Sequence, residues 1–152
     1  MSREIHSVTL DEEFAAWQRT LPLEITSDPL WTCAAYRLAT FVADRAWEDV
    51  TSLVNDPRTA TLAGQFAEAL GSIGANYAEA YSRSSSRDRC RFYEYSLGSA
   101  RESRAWCFKG RHVIGDERTR ETLQLLTRIT QLVTVTIVRE RKGLRAKRLP
   151  LH

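Results

Sequence analysis

The stretch Leu62–Arg83, LAGQFAEALGSIGANYAEAYSR, decides the fold. At about 100° per residue it sorts into three faces, where an ordinary amphipathic helix shows two. Leu62, Phe66, Leu70, Ile73 and Tyr77 form a large apolar stripe, the side expected to meet a core. Gly64, Ala67, Gly71, Ala75 and Ala78 form a stripe of small residues. Gln65, Glu68, Ser72, Asn76, Glu79 and Arg83 form a polar stripe. Gly64, Gly71 and Gly74 each lower helix propensity by about 1 kcal/mol relative to alanine. A close crossing against the small-residue face is therefore expected to offset them.

The flanking sequence supplies further helices. Upstream, Asp28-Pro29 is a helix start, an N-cap followed by proline at the first helical position. Trp31, Ala34, Leu38, Phe41, Arg45 and Leu53 then fall near one face, until Asn55-Asp56-Pro57 stops the run. A third helix is expected after the SRSSS loop of residues 82–86, capped by Ser86. Phe92, Tyr95, Ser99, Glu102, Trp106 and Val113 share one side of it. That seam is polar in the middle, so Ser99 and Glu102 are expected to be buried or half-buried.

The fourth helix starts at Asp116 after Gly115. Leu123, Leu126, Ile129, Val133 and Ile137 keep helical spacing through the β-branched run Val133–Val138, and Lys142-Gly143 ends it. Four long helices with short connections predict an all-α fold, an antiparallel up-down-up-down four-helix bundle. Residues 28–142 make the bundle. Residues 1–27 form an acidic N-terminal arm, with a short helix carrying Phe14 and Trp17 and ended by Pro22, packed on the body or on a neighbouring subunit. Residues 143–152 form a basic C-terminal tail.

Composition narrows the function classes. The chain has 152 residues and 43% hydrophobic content, enough for one cored domain. Its sequence contains no apolar run of membrane-spanning length and no apolar leader core, so a cytoplasmic protein is expected. Cys33, Cys90 and Cys107 are isolated, giving neither a disulfide framework nor a zinc pattern. The net charge of +3 is unevenly spread: residues 139–152 carry six Lys/Arg against Glu140, and residues 83–111 carry eight against three acids, +5 in each segment. Such clusters suit an anionic partner. The candidate nucleic-acid contacts are Arg83, Arg87, Arg91, Arg101 and Arg104 on the third helix, and Arg139, Arg141, Lys142, Arg145, Lys147 and Arg148 at the end. Tyr81, Phe92 and Tyr93 stand nearby as potential stacking rings.

At Gln65, Ser72-Ile73-Gly74-Ala75-Asn76-Tyr77-Ala78-Glu79-Ala80 and Leu97-Gly98-Ser99-Ala100-Arg101-Glu102, the chain resembles the four-helix bundle proteins named for 23S rRNA intervening sequences. The family pattern is a Gln, then S-I-x-x-N-I-A-E-G on the second helix and x-G-S-x-x-E on the third. Trp31 matches an aromatic near the start of the family's first helix. Here Tyr77 stands where isoleucine is usual and Ala80 where glycine is usual, and the resemblance covers roughly residues 28–140. It implies a homopentameric ring, and it is similar to the accessory protein of diversity-generating retroelements, a basic bundle that binds nucleic acid. It implies no enzymatic activity.

Gln65, Ser72, Asn76, Glu79, Ser99 and Glu102 include paired carboxylates, which can divide acid and base roles. No histidine, nucleophile or metal-ligand pattern accompanies them, and His6, His112 and His152 supply no Glu-x-x-His pair of the di-iron bundles. They read instead as a structural polar network, interhelical or intersubunit. The expectation is a non-enzymatic homo-oligomer, without metal or cofactor, that binds RNA or DNA. The alternative is a protein-interaction scaffold with no nucleic-acid role, docking a protein partner through Phe14 and Trp17.

Overall fold

The computed structural model describes residues 7–143, which are helical with no strand among the described residues. Helix α1 spans Leu10–Gln18, α2 Leu23–Thr26, α3 Ala34–Arg45, α4 Trp47–Asn55, α5 Ala60–Ser82, α6 Ser86–Lys109, α7 Arg111–Ile114 and α8 Asp116–Arg141. Helix α5 packs on α6 and on α3 and α4, and α8 packs on α6 and α3. Phe41, Phe66, Leu70, Ile73, Leu126, Ile129 and Val133 fill the space between them and are almost wholly buried.

Helix α1 begins with a capping box, in which Thr9 and Glu12 satisfy each other's backbone N–H groups. The helix packs on its own chain. The Phe14 and Trp17 rings each lie 5.1 Å from Phe41, and the Trp17 indole N–H donates to Asp44 at 2.7 Å.

The helix expected from Asp28 is interrupted twice. Asp28 does cap, accepting from the Leu30 N–H at 2.8 Å, but it starts a single 3-10 turn, Pro29–Thr32. Cys33 is extended, so α3 begins only at Ala34. The second break falls at Ala46, and the Arg118 guanidinium of α8 occupies it. Arg118 donates to the Arg45 carbonyl at 2.6 Å and to Asp49 at 2.9 Å. A long-range side chain thus satisfies the backbone that the break exposes.

The Val133–Val138 run is helical, as its upstream period predicts, and Gly115 and Gly143, at φ of 92° and 67°, bound α8. Ser85, not Ser86, caps α6 by accepting from the Asp88 N–H. Ser86 instead donates to the Glu140 carbonyl and carboxylate. Among the described residues five ion pairs tie α8 to the other helices: the partly buried Arg45 with Glu121, Arg118 with Asp49 and Arg89 with Glu140, and the exposed Arg141 with Glu94 and Arg128 with Asp11. Arg45 also pairs with Glu13 of α1. Burial pushes the Asp49 carboxyl upward, against the pull of Arg118.

The large apolar stripe of α5 is buried from Phe66 to Tyr77, with Leu62 half-buried at its start. The close crossing expected on the small-residue stripe is not made within the chain. A Cβ at Gly64 or Gly71 would meet nothing within 4 Å, and only Gly74 has neighbours, Tyr36 and Ala39 at 3.7 and 3.8 Å. Helices α5 and α6 meet on another side, where the buried Ser96 hydroxyl donates to the Ile73 carbonyl at 2.8 Å.

Candidate nucleic-acid interface

A basic residue contacts phosphate only if its charge is exposed and not already spent on an acid. Arg87 and Arg101 of α6 and Arg139 of α8 are exposed and form no ion pair among the described residues. Lys142 is likewise exposed and unpaired among them. Arg83 pairs with Glu79, Arg91 with Asp88 at 3.5 Å, and Arg141 with Glu94. Arg104 is half-buried and reaches Thr127 of α8. Arg145, Lys147 and Arg148 lie outside the described residues.

The structure gathers Arg87, Arg91 and Arg141 around one open cleft of about 450 Å³, between the start of α6 and the end of α8. Asp88, Glu94 and Glu140 line the same cleft. Arg101 stands fourteen residues beyond Arg87 on α6, roughly 21 Å away at the helical rise, so the candidate arginines form a stripe rather than one pocket. The guanidiniums of Arg83 and Arg91 lie over the Phe92 ring, 4.8 and 5.1 Å from its centroid. Tyr95 is exposed beside it, with ring centroids 5.5 Å apart. Tyr93 is buried on Tyr77 and is no stacking platform.

Arg89 belongs to the same basic run, yet it does different work. It is 6% exposed, pairs with Glu140 at 2.9 Å, and donates to the Arg83 and Ser84 carbonyls. Its spacing to Tyr93, Ser96 and Ala100 was the available signal, since these share the buried face of α6.

Among the described residues, the six residues of the expected polar network do not bond across helices. Asn76 donates to the Ser72 carbonyl, Glu79 pairs with Arg83, the Trp106 indole donates to Glu102 at 3.1 Å, and the Ser99 carbonyl accepts from Ser103. Each contact stays within one helix or at its end. Gln65, Glu79 and Glu102 are exposed, and Ser72, Asn76 and Ser99 are half-buried. The interhelical arrangement is therefore corrected: the set lies on the outer side of α5 and α6, and Glu102 is not buried. The true buried face of α6 carries Arg89, Tyr93, Ser96, Ala100, Ser103 and Cys107. Hydropathy points elsewhere because two serines and an arginine hold three of those six positions.

Charge divides the chain into halves. Residues 7–82 carry eleven Asp/Glu against four Lys/Arg, a net of −7. Residues 83–143 carry fourteen Lys/Arg against seven Asp/Glu, a net of +7. Helices α4 and α5 contain no Lys or Arg at all. Any anion is therefore drawn to the side built from α6 and α8. Among the described residues, no group of three or more His, Cys, Asp or Glu is placed to hold a metal, and no helix is long and apolar enough to cross a membrane.

The family described as 23S rRNA-intervening sequence protein matches residues 32–135. The crystal structure of a protein of unknown function from the S23 ribosomal protein family of Bacteroides thetaiotaomicron is similar, with a TM-score of 0.64 and 24% identity. The likeness covers 68% of this chain and 98% of that one; it is a likeness of fold. No curated protein matches the chain.

Proposed function

Because the chain belongs to the 23S rRNA-intervening sequence protein family, we propose that it is a non-enzymatic, cytoplasmic four-helix bundle that assembles as a homopentameric ring and binds RNA or DNA. Its four walls, in up-down-up-down order, are α3 with α4, α5, α6 and α8. The observation that carries the reading is the net +7 of residues 83–143, with Arg87, Arg101 and Arg139 left exposed and unpaired among the described residues. Guanidinium groups take phosphate oxygens, and the exposed Tyr95 beside Phe92 offers a ring to an unstacked base. The tail of residues 143–152 adds three more cations, Arg145, Lys147 and Arg148. Repetition around a ring turns weak single contacts into avid ones.

The test is a salt titration of the nuclease-treated protein against structured RNA and duplex DNA, with native mass measured in the same buffer. Binding is expected to weaken steeply with salt, as counterion release requires. Arg87→Ala with Arg101→Ala is expected to lower affinity and flatten the salt slope. Deleting residues 143–152 separates tail from body: unchanged binding removes the tail from the site and leaves α6. No binding at low salt overturns the reading and leaves a protein-interaction scaffold.

A further inference from the structure

An apolar groove runs along the outside of α5, opposite the half of the molecule just described. Two hollows of about 360 and 240 Å³ share Ala43, Leu70 and Gly71, so they form one channel between α5 and the α3–α4 segment. Its floor is the small-residue stripe of α5. Its wall carries Trp47, 76% exposed, and Val54, 54% exposed. A tryptophan open to water beside Gly71, where a Cβ would meet nothing within 4 Å, is an unfilled packing site. The floor residues recur every three to four positions, the register in which a second helix lies into grooves at close approach.

The same chain carries a ridge that fits. On the outer side of α8, Arg128, Gln131, Val135, Val138 and Lys142 also follow three- and four-residue spacing. Val135 and Val138 are 48% and 42% exposed, although every other Val, Leu and Ile of α8 is at least partly buried. The charges match as well. Exposed Glu48 and Glu68 flank the groove on helices that hold no base, while on α8 Arg139, with Lys142 just beyond the helix, is exposed and unpaired among the described residues; Arg128 and Arg141 pair with Asp11 and Glu94. Within one chain α8 packs on α6 and α3, on the far side of the core from α5, so the ridge cannot reach its own groove.

We infer that the α4–α5 groove is the docking site for the outer face of α8 from a second copy of this chain, with Val135 and Val138 seated over Gly71 beside Trp47. Groove and ridge are different surfaces, so the contact is head-to-tail, the kind that builds the proposed ring and not a two-fold dimer. The inference rests on the homo-oligomer proposed above, and names the two faces that build it. It moves Arg139 and Lys142 from the nucleic-acid surface to the subunit contact, and leaves Arg87 and Arg101 of α6 to the nucleic acid.

The experiment is native mass spectrometry and sedimentation of the full chain and two variants. Gly71→Trp fills the groove where a Cβ meets nothing in the protomer, and Val138→Asp spoils the ridge at an exposed position. Each variant alone is expected to associate at least tenfold more weakly than wild type. Mixed, they still own one intact groove and one intact ridge between them, and are expected to stop at a heterodimer. A Val138→Asp protein that assembles like wild type, or a mixture with no heterodimer, overturns the inference while leaving the oligomer standing. A wild-type chain that is monomeric throughout overturns the oligomer itself. A second set touches only surface charge: Glu48→Lys with Glu68→Lys weakens assembly, and adding Arg139→Glu with Lys142→Glu in the same chain restores it. Failure to restore counts against the pairing.

Discussion

Replacing Arg89 by methionine isolates the ion pair that joins the start of α6 to the end of α8. Arg89 is 6% exposed and Glu140 8%, and the substitution leaves that carboxylate buried without its guanidinium. Breaking a buried pair from one side costs roughly 3–5 kcal/mol. Glu140 keeps one partner, the Ser86 hydroxyl at 3.1 Å. The Arg83 and Ser84 carbonyls that Arg89 also serves belong to exposed residues, where water replaces it. The cost therefore falls at the lower end, about 3 kcal/mol. At 2–4 °C per kcal/mol for a domain of this size, the melting point drops by roughly 6–12 °C. Replacing both residues, Arg89→Met with Glu140→Met, removes the stranded charge and is expected to return stability to within about 1 kcal/mol of wild type. Urea unfolding followed by far-UV circular dichroism measures both. A single variant within about 1 kcal/mol of wild type, or a double variant as unstable as the single, refutes the reasoning.

Gly110→Ala should destabilise by about 1–3 kcal/mol, because its Cβ would stand 2.9 Å from the buried Leu53 and 3.3 Å from Ile114. Gly98→Ala, with open space at its Cβ, should stabilise by about 0.5–1 kcal/mol through helix propensity. Both are read by thermal melts. The Cys107 thiol is fully buried and pushed up to about 12 by that burial, so it should resist alkylation at pH 8 until the protein unfolds. Peptide mapping after a timed maleimide pulse distinguishes it from half-buried Cys33 and Cys90. Burial also raises the Tyr77 and Tyr93 hydroxyls. Their contribution to stability is whole below the unfolded tyrosine value near pH 10 and is lost as pH climbs above it. A spectrophotometric titration should show two of the five tyrosines ionising only with alkaline unfolding.

The parts of the fold legible in the sequence were those with uninterrupted period. Helix α5, read from the stretch Leu62–Arg83, spans Ala60–Ser82. The β-branched end of α8 was correctly kept helical because its spacing never changes. What local reading missed depended on distant atoms. Nothing around Ala46 signals a break, because the group that occupies it is Arg118, 73 positions away from Arg45. In the sequence Phe92, Tyr95 and Trp106 look like the core face of α6, while its buried side carries Ser96 and Ala100, and the Ser96 hydroxyl reaches the Ile73 carbonyl of α5. Among the candidate site residues, position in the basic run was legible and pairing was not. Arg83, Arg91 and Arg141 are engaged with acids, and Arg87 and Arg101 are not, among the described residues. The polar stripe was seen, but its outward direction follows only from how α5 turns against its neighbours.

The three partly buried ion pairs that anchor α8 set an order on the making of the protein. Their partners lie 76, 69 and 51 positions apart, and in each pair the α8 member comes last. A ribosome therefore releases Arg45, Asp49 and Arg89 well before Glu121, Arg118 and Glu140 exist to neutralise them. Until the final helix is complete, the growing chain cannot bury those groups without stranding charge, and its core stays open. A premature stop anywhere in α8 then yields not a shorter bundle but an unclosed one, the kind of product that quality-control proteases remove.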